Sequence, residues 1–342
     1  VVKGSHAVKN AFELIQPSFE KMKGLLFPIN VKLWLKLAFV ALIAGFGMGG
    51  GFNGSNYSQR QLSNEKMSEI SAAILGFWTH WWKAIVAIAI VLLLLWVLMA
   101  FLSSVFKFIF YDGITKKEKG MRASFKRNLG LGASLFGFML LFSIVILLLV
   151  ILFVALIMFS LGVHSIGDIS KMMPNAFGFI FVSFCLLCCM IVPLLLIMVF
   201  IIEDFAIPIM FLGRKGFLSS TSHALRLISG NFVQFLVYIA AKVVLGIVCA
   251  IISFLLLLPL LIVLLIIFIL VYFTMLQGFD FAAITIRHIV MGIILLIPFS
   301  LLIAYVAQVF TLPVIVFSRF FPLMFLRELD PNLNFEQHTP SQ

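Results

Sequence analysis

Apolar residues run almost uninterrupted through six long stretches of this chain, near 33–48, 84–111, 129–162, 176–202, 232–276 and 289–318. A helix needs about 20 residues to cross a hydrocarbon layer of roughly 30 Å, and each stretch reaches that length or nearly so. The pattern predicts an all-α fold, a polytopic helical membrane bundle of about six transmembrane helices. The stretch at 232–276 is overlong, about 68 Å if wholly helical, with Pro259 near its middle. A hairpin there would carry polar turn residues, whereas the flanking sequence is LLLLPLLI. One long kinked helix is therefore expected.

Ahead of the first stretch the pattern changes. Val8, Phe12, Ile15, Phe19, Met22 and Leu26 recur at three- and four-residue steps, opposite Lys9, Glu13, Gln16 and Glu20. This is an amphipathic helix, kinked or divided by Pro17, lying on the membrane surface or packing under the bundle. Three regions follow: an interfacial helix over 1–30, the transmembrane domain over 31–318 and a cytoplasmic tail over 319–342. Between the first two spans, Met67, Ile70, Ile74, Trp78 and Trp81 keep helical spacing. Because Trp prefers the headgroup level, 67–83 is expected to lie along the outer interface.

Hydrophobic residues make up 63% of the 342 and charged ones 11%. A soluble chain carries about 25% charged residues, so there is too little polar surface to clothe a water-soluble core. The net charge of +11 would suit nucleic acid, but its distribution argues for topology. Lys3 to Lys36, Lys107 to Arg127, Arg214, Lys215, Arg226, Arg319 and Arg327 all fall on one side of the predicted membrane. Cytoplasmic connections carry such an excess, which puts both termini in the cytoplasm and the basic segments against anionic lipid headgroups. No nucleic-acid partner is expected, and no cleavable signal peptide.

The chain also echoes itself. Residues 106–142 and 200–239 each leave an apolar helix at an acidic junction, Tyr111-Asp112 and Glu203-Asp204. Each then passes a basic, Gly-containing linker and enters an amphipathic segment with Arg122, Ala123 and Asn128, or Ala224, Arg226 and Asn231. This reads as a parallel internal repeat.

Candidate chemistry is sparse. GFGMGG at 45–50 matches a G-x-G-x-x-G pattern but follows a membrane helix rather than a strand, which removes the dinucleotide context. Cys185, Cys188 and Cys189 share a helix face without His or carboxylate companions and read as packing residues. No metal site, cofactor or catalytic constellation is expected. Lys242 lies about 20 Å into its helix if that helix enters near Ser229. An ammonium there calls for a partner or a watery cavity. Tyr238, Tyr305 and Gln308 are its expected neighbours in a midplane polar site, with no carboxylate placed at matching depth. Glu203, Asp204, Pro208, Arg226 and Asn231 form a second candidate, a cytoplasmic junction in which Arg214, Lys215 and Arg226 would pair with the acids.

The stretch Glu203-Asp204 followed by Ala224-Leu225-Arg226-Leu227-Ile228-Ser229-Gly230-Asn231-Phe232 resembles the membrane domain of the glycerophosphoryl diester phosphodiesterase membrane-domain family. It also resembles related uncharacterised multi-pass families of bacteria and archaea. It departs where the family favours Ser-Trp and this chain has Leu227-Ile228. The resemblance implies a bundle of six to eight helices in a prokaryotic cytoplasmic membrane, without an assigned activity and without the soluble phosphodiesterase domain.

The expected function is that of a non-enzymatic membrane protein that scaffolds, anchors or assembles with lipids and other membrane proteins, itself included. The alternative is a transporter or channel around Lys242, for which a cavity reaching Lys242 would speak. A lipid-modifying enzyme would need Glu203, Asp204, His223 and Arg226 to converge.

Overall fold

The computed structural model describes residues 11–46, 64–115, 120–160, 174–276, 286–331 and 333. The glycine run from 47, the loop to 63, Val8, Lys9 and the tail beyond 333 lie outside them, as do the side chains of 64–81. Among the described residues the chain is helical and holds no strand. A 3-10 turn at Ala11–Leu14 leads into α1 (Ile15–Leu26), and α2 (Val31–Gly45) follows after a 119° bend. Then come α3 (Asn64–Thr115), α4 (Met121–Ser160) and α5 (Pro174–Ile201), which runs through a wide turn at Ile202–Ala206 into α6 (Ile207–Gly213). α7 (Phe217–Gly230), α8 (Phe232–Leu276) and α9 (Ile286–Leu329) complete the bundle.

Among the described residues, five helical segments are long and apolar enough to cross a membrane: Trp82–Thr115, Met121–Ser160, Val182–Gly213, Phe232–Val271 and Leu296–Leu329. A sixth crossing would need α1 and α2 to count as one broken span. α2 alone has 15 residues, about 22 Å, and falls short of the full span expected at 33–48. The stretch at 232–276 is a single helix with Pro259 inside it. α3 starts at Asn64 and runs unbroken to Thr115, so the backbone of 67–83 extends the second span instead of forming a separate interfacial helix.

The packed core sits at one end of this bundle. Buried side chains gather in Val105–Ile114 of α3, Ile202–Phe211, Tyr238 and Ala241 of α8, and Leu312–Leu326 of α9, together with Leu26 and Leu37. These residues adjoin the Lys/Arg-rich connections, so this is the basic end. The N-terminal segment and the close of α9 both lie there. Toward the far end the helices stop covering one another, and no more than 11% of the most apolar window of any candidate span is buried. Leu92, Leu148, Leu194, Phe254 and Leu302 are all exposed. Soluble monomers rarely expose contiguous apolar patches beyond a few hundred Å²; hydrocarbon is the medium these surfaces suit. The protein is a multi-pass helical membrane protein.

Two contacts shape the basic end. A Cβ on Gly132 would fall 2.7 Å from Val105 Cα, so only glycine lets α4 approach α3 this closely. α1 packs against α9, with Ser18, Met22, Leu25 and Leu26 buried. The buried face is rotated from the expected one, since Phe12 and Phe19 are exposed. The 3-10 turn ends just before Pro17, which occupies the first turn of α1, where a missing N–H costs no internal hydrogen bond.

Candidate functional site

The charges of the basic end form a layer. Counted from the basic-end terminus of each helix at 1.5 Å per residue, Lys107, Glu203, Asp204, Lys242 and Arg319 all lie about 12–15 Å in. Glu203 accepts from Lys107 Nζ on α3 and from Arg319 Nη1 on α9, the latter at 2.7 Å. Asp204 accepts from Lys242 Nζ and from the Tyr238 hydroxyl, the latter at 3.0 Å. Two adjacent acids thus tie α5 to three other helices.

The wide turn at Ile202–Ala206 makes this arrangement. Its Ile207 N–H bonds Ile202 O, an i→i+5 closure. Pro208 supplies the cause: it has no N–H for the Asp204 carbonyl, and its ring crowds that carbonyl. Widening the preceding turn relieves the clash without ending the helix, and such turns recur at functional sites. The chain continues to Gly213, so Glu203 and Asp204 lie inside a helix and not at its end. Tyr238 is fixed by its rings: it stacks on Phe325 at 4.4 Å and Phe321 at 5.2 Å, with Phe205 edge-on at 5.3 Å.

A second cluster lies nearer the end. Asp112, 1% exposed, receives Arg127 Nη2 at 2.7 Å and the Asn128 amide, with Arg214 at 3.9 Å. Arg214 also donates to Asn128 Oδ1 at 2.8 Å. Arg214 closes α6 in the left-handed region, at φ 51°; its side-chain bonds hold it there against the usual cost to a non-glycine residue.

Beside the charge layer is a cavity of about 500 Å³. Lys107, Tyr111, Glu203, Asp204, Lys242, Ser318 and Arg319 form its polar wall, and Gln308 stands at its outer part. Ala41, Ala44 and Gly45 of α2 leave the space, together with Val199 and Ile315. From Arg319 to Gln308 the cavity follows α9 for about 16 Å. The Tyr111 hydroxyl is buried with Arg319 as its polar neighbour, and among the described residues no acceptor lies in reach of its proton. Gln308 Oε1 is also buried without a partner.

The chain belongs to DUF7544, a family of unknown function whose model matches residues 9–335.

That DUF7544 match covers nearly the whole chain, so the cavity and both ionic clusters fall within it. No curated protein and no solved structure matches. The DUF7544 description carries no activity, and nothing names the glycerophosphoryl diester phosphodiesterase membrane domain.

The residues singled out from the DUF7544 sequence divide as follows. Lys242, Tyr238, Asp204 and Glu203 come together, and Gln308 joins them at the cavity. A carboxylate does meet Lys242, contrary to the depth expected, because Asp204 lies well inside its helix. Tyr305 instead donates to Leu35 O on α2 at 3.0 Å. Pro208 is buried in the first turn of α6. Arg226 is exposed, and Asn231 caps α7 through Leu227 O at 3.2 Å. The expected pairing of Glu203 and Asp204 with Arg214, Lys215 and Arg226 gives way to Lys107, Lys242 and Arg319, since Arg214 turns to Asp112 and Asn128. In the sequence Lys107 and Arg319 count only among the basic charges on one side of the membrane. Their flanking phenylalanines, Phe106 and Phe108, Phe320 and Phe321, were the signal that the polypeptide is still buried helix at those points.

Proposed function

We propose that this protein binds the headgroup of a membrane-resident amphiphile in the basic-end cavity, with its basic end facing the cytoplasm of a prokaryotic cell. The observation that carries the reading is the cavity itself, polar on the side of Lys107, Lys242, Glu203 and Arg319 and apolar on the side of α2 and Val199. Gly45 is exposed at its edge, and the residues farther along α5, α8 and α9 are exposed apolar side chains. A headgroup would meet fixed charges and hydrogen-bond donors, while its tail would meet surfaces like those of lipid.

This reading deepens the assembly role expected from the sequence by giving it a lipid contact. Homo-oligomers and partner proteins remain proposals of the same kind, as does kinship with the phosphodiesterase membrane domain. The transport reading draws on the cavity's reaching Lys242. Against it, α8 carries no charged residue from 243 to its end, and 174–202 and 289–318 carry none either. A conduit for ions or polar solutes calls for polar lining across the membrane. A lipid-modifying centre is not favoured by the geometry: Glu203 and Asp204 are taken up in ion pairs, His223 faces Asp330 at 3.3 Å, and Arg226 is exposed.

Native mass spectrometry of the detergent-purified protein tests the reading. A co-purifying amphiphile is expected on the wild type and lost on Ala44→Trp, whose indole would fill the cavity edge. Equal retention by both proteins would refute it.

A further inference from the structure

Resting on that reading, we infer that the headgroup is a phosphodiester with one negative charge and a free hydroxyl, the chemistry of phosphatidylglycerol, received by Lys107, Arg319 and Tyr111. The charge count gives the sign. Three cations of the layer meet two carboxylates. Lys242 and Asp204 neutralise each other. Glu203 alone serves both Lys107 and Arg319. The surplus positive charge therefore belongs to the Lys107–Glu203–Arg319 node, where Lys107 is 6% exposed and Glu203 17%.

Arg319, 29% exposed, opens the node onto the cavity, and an anion held there would offset the uncompensated charge beside buried Lys107. Asp112 does not supply it, being engaged by Arg127 and Asn128 and approached by Arg214. A zwitterionic lipid brings its own cation and leaves the surplus in place.

The donors agree with the charge. A guanidinium and an ammonium converging on one carboxylate also suit phosphate oxygens. The Tyr111 hydroxyl, 1% exposed and lining the same cavity, has the donor Arg319 beside it but no acceptor for its own proton among the described residues, so a phosphate oxygen would give it one. Gln308 lines the same cavity through other atoms while its Oε1 is buried and unbonded, so a turn of the amide would offer an acceptor that phosphate cannot satisfy and a headgroup hydroxyl can.

The test titrates the intact detergent-purified protein with phosphatidylglycerol or phosphatidylcholine of identical chains, read by native mass spectrometry. Inorganic phosphate alone forms a third arm, read by thermal unfolding beside both lipids. Phosphatidylglycerol should be retained at least about tenfold better than phosphatidylcholine, and Lys107→Gln should cut that preference below about threefold. Lys107→Arg should keep it. Glu203→Gln breaks the same node yet should raise the preference, because it leaves two surplus charges; a merely structural role would lower it. If Lys107→Gln or Glu203→Gln does not fold, the two-lipid comparison on the wild type and on Lys107→Arg decides. Equal retention of both lipids by the wild type overturns the inference, as does a preference lost in Glu203→Gln. Stabilisation by inorganic phosphate equal to that by phosphatidylglycerol also overturns it, in favour of a free anion. If both lipids bind equally and Ala44→Trp removes both, the amphiphile reading stands and only the charge inference fails. If Ala44→Trp removes neither, the reading itself fails.

Discussion

Arg319 and Glu203 are 116 positions apart in the chain and 2.7 Å apart in the fold. Their contact joins the last helix to the centre of the bundle, and Lys107 brings in the third. The three partners are unequal. Glu203→Gln leaves two buried cations uncompensated and should cost about 3–5 kcal/mol. Arg319→Gln leaves Glu203 with Lys107 and should cost about 1.5–3 kcal/mol, the range for a hydrogen bond to a charged group. Unfolding in mixed micelles at constant lipid composition checks the order. Equal losses would mean that Glu203 is not shared.

Gly132 sets the spacing of α3 and α4. A methyl group there meets Val105 Cα at 2.7 Å, and a backbone atom does not swing aside. Gly132→Ala should destabilise by about 1–3 kcal/mol, the usual cost of overpacking. Gly137, whose added Cβ would meet nothing within 4 Å, should accept alanine without loss. The same unfolding assay compares the two.

Asp112 holds the start of α4 and the end of α6 through Arg127, Asn128 and Arg214. Asp112→Asn should release this clasp while leaving the deeper charge layer intact. Hydrogen exchange should rise in 121–128 and 214–220 and stay unchanged in 203–211. Uniform acceleration would contradict a local role.

What the sequence discloses here depends on how far a signal is local. Apolar runs mark the spans because hydrocarbon imposes its thickness on each helix separately. The unbroken α8 was legible in the missing turn residues around Pro259. The Asp204–Lys242 pair was not. Glu203-Asp204 followed by Pro208 looks like a helix end, and only the wide turn at Ile202–Ala206 lets the helix continue. Once it runs to Gly213, Asp204 and Lys242 lie at equal depth. Lys107 and Arg319 were hidden for a related reason: charge near a basic loop reads as topology, although both are buried or half-buried on helices ringed by phenylalanine. The cavity was least legible, because it arises where Ala41, Ala44 and Gly45 fail to fill space between distant segments.

The thiols report on the surrounding medium. Cys189 is exposed and Cys185, Cys188 and Cys249 are half-buried, all on the part of the bundle assigned to hydrocarbon. A membrane-impermeant maleimide travels through water and reaches only thiols that water reaches. In native membranes a membrane-impermeant maleimide should leave all four unlabelled, and denaturation in detergent should expose them. Rapid labelling of Cys189 in intact membranes would place water where lipid is assigned.

The most direct measurement is an experimental structure of the protein in nanodiscs containing both phosphatidylglycerol and phosphatidylcholine. Density for one lipid should fill the cavity, its phosphate within hydrogen-bond reach of Lys107, Arg319 and Tyr111 and its tail leaving past Ala44 and Gly45. A cavity that is empty, or closed by the protein's own side chains, would contradict the account.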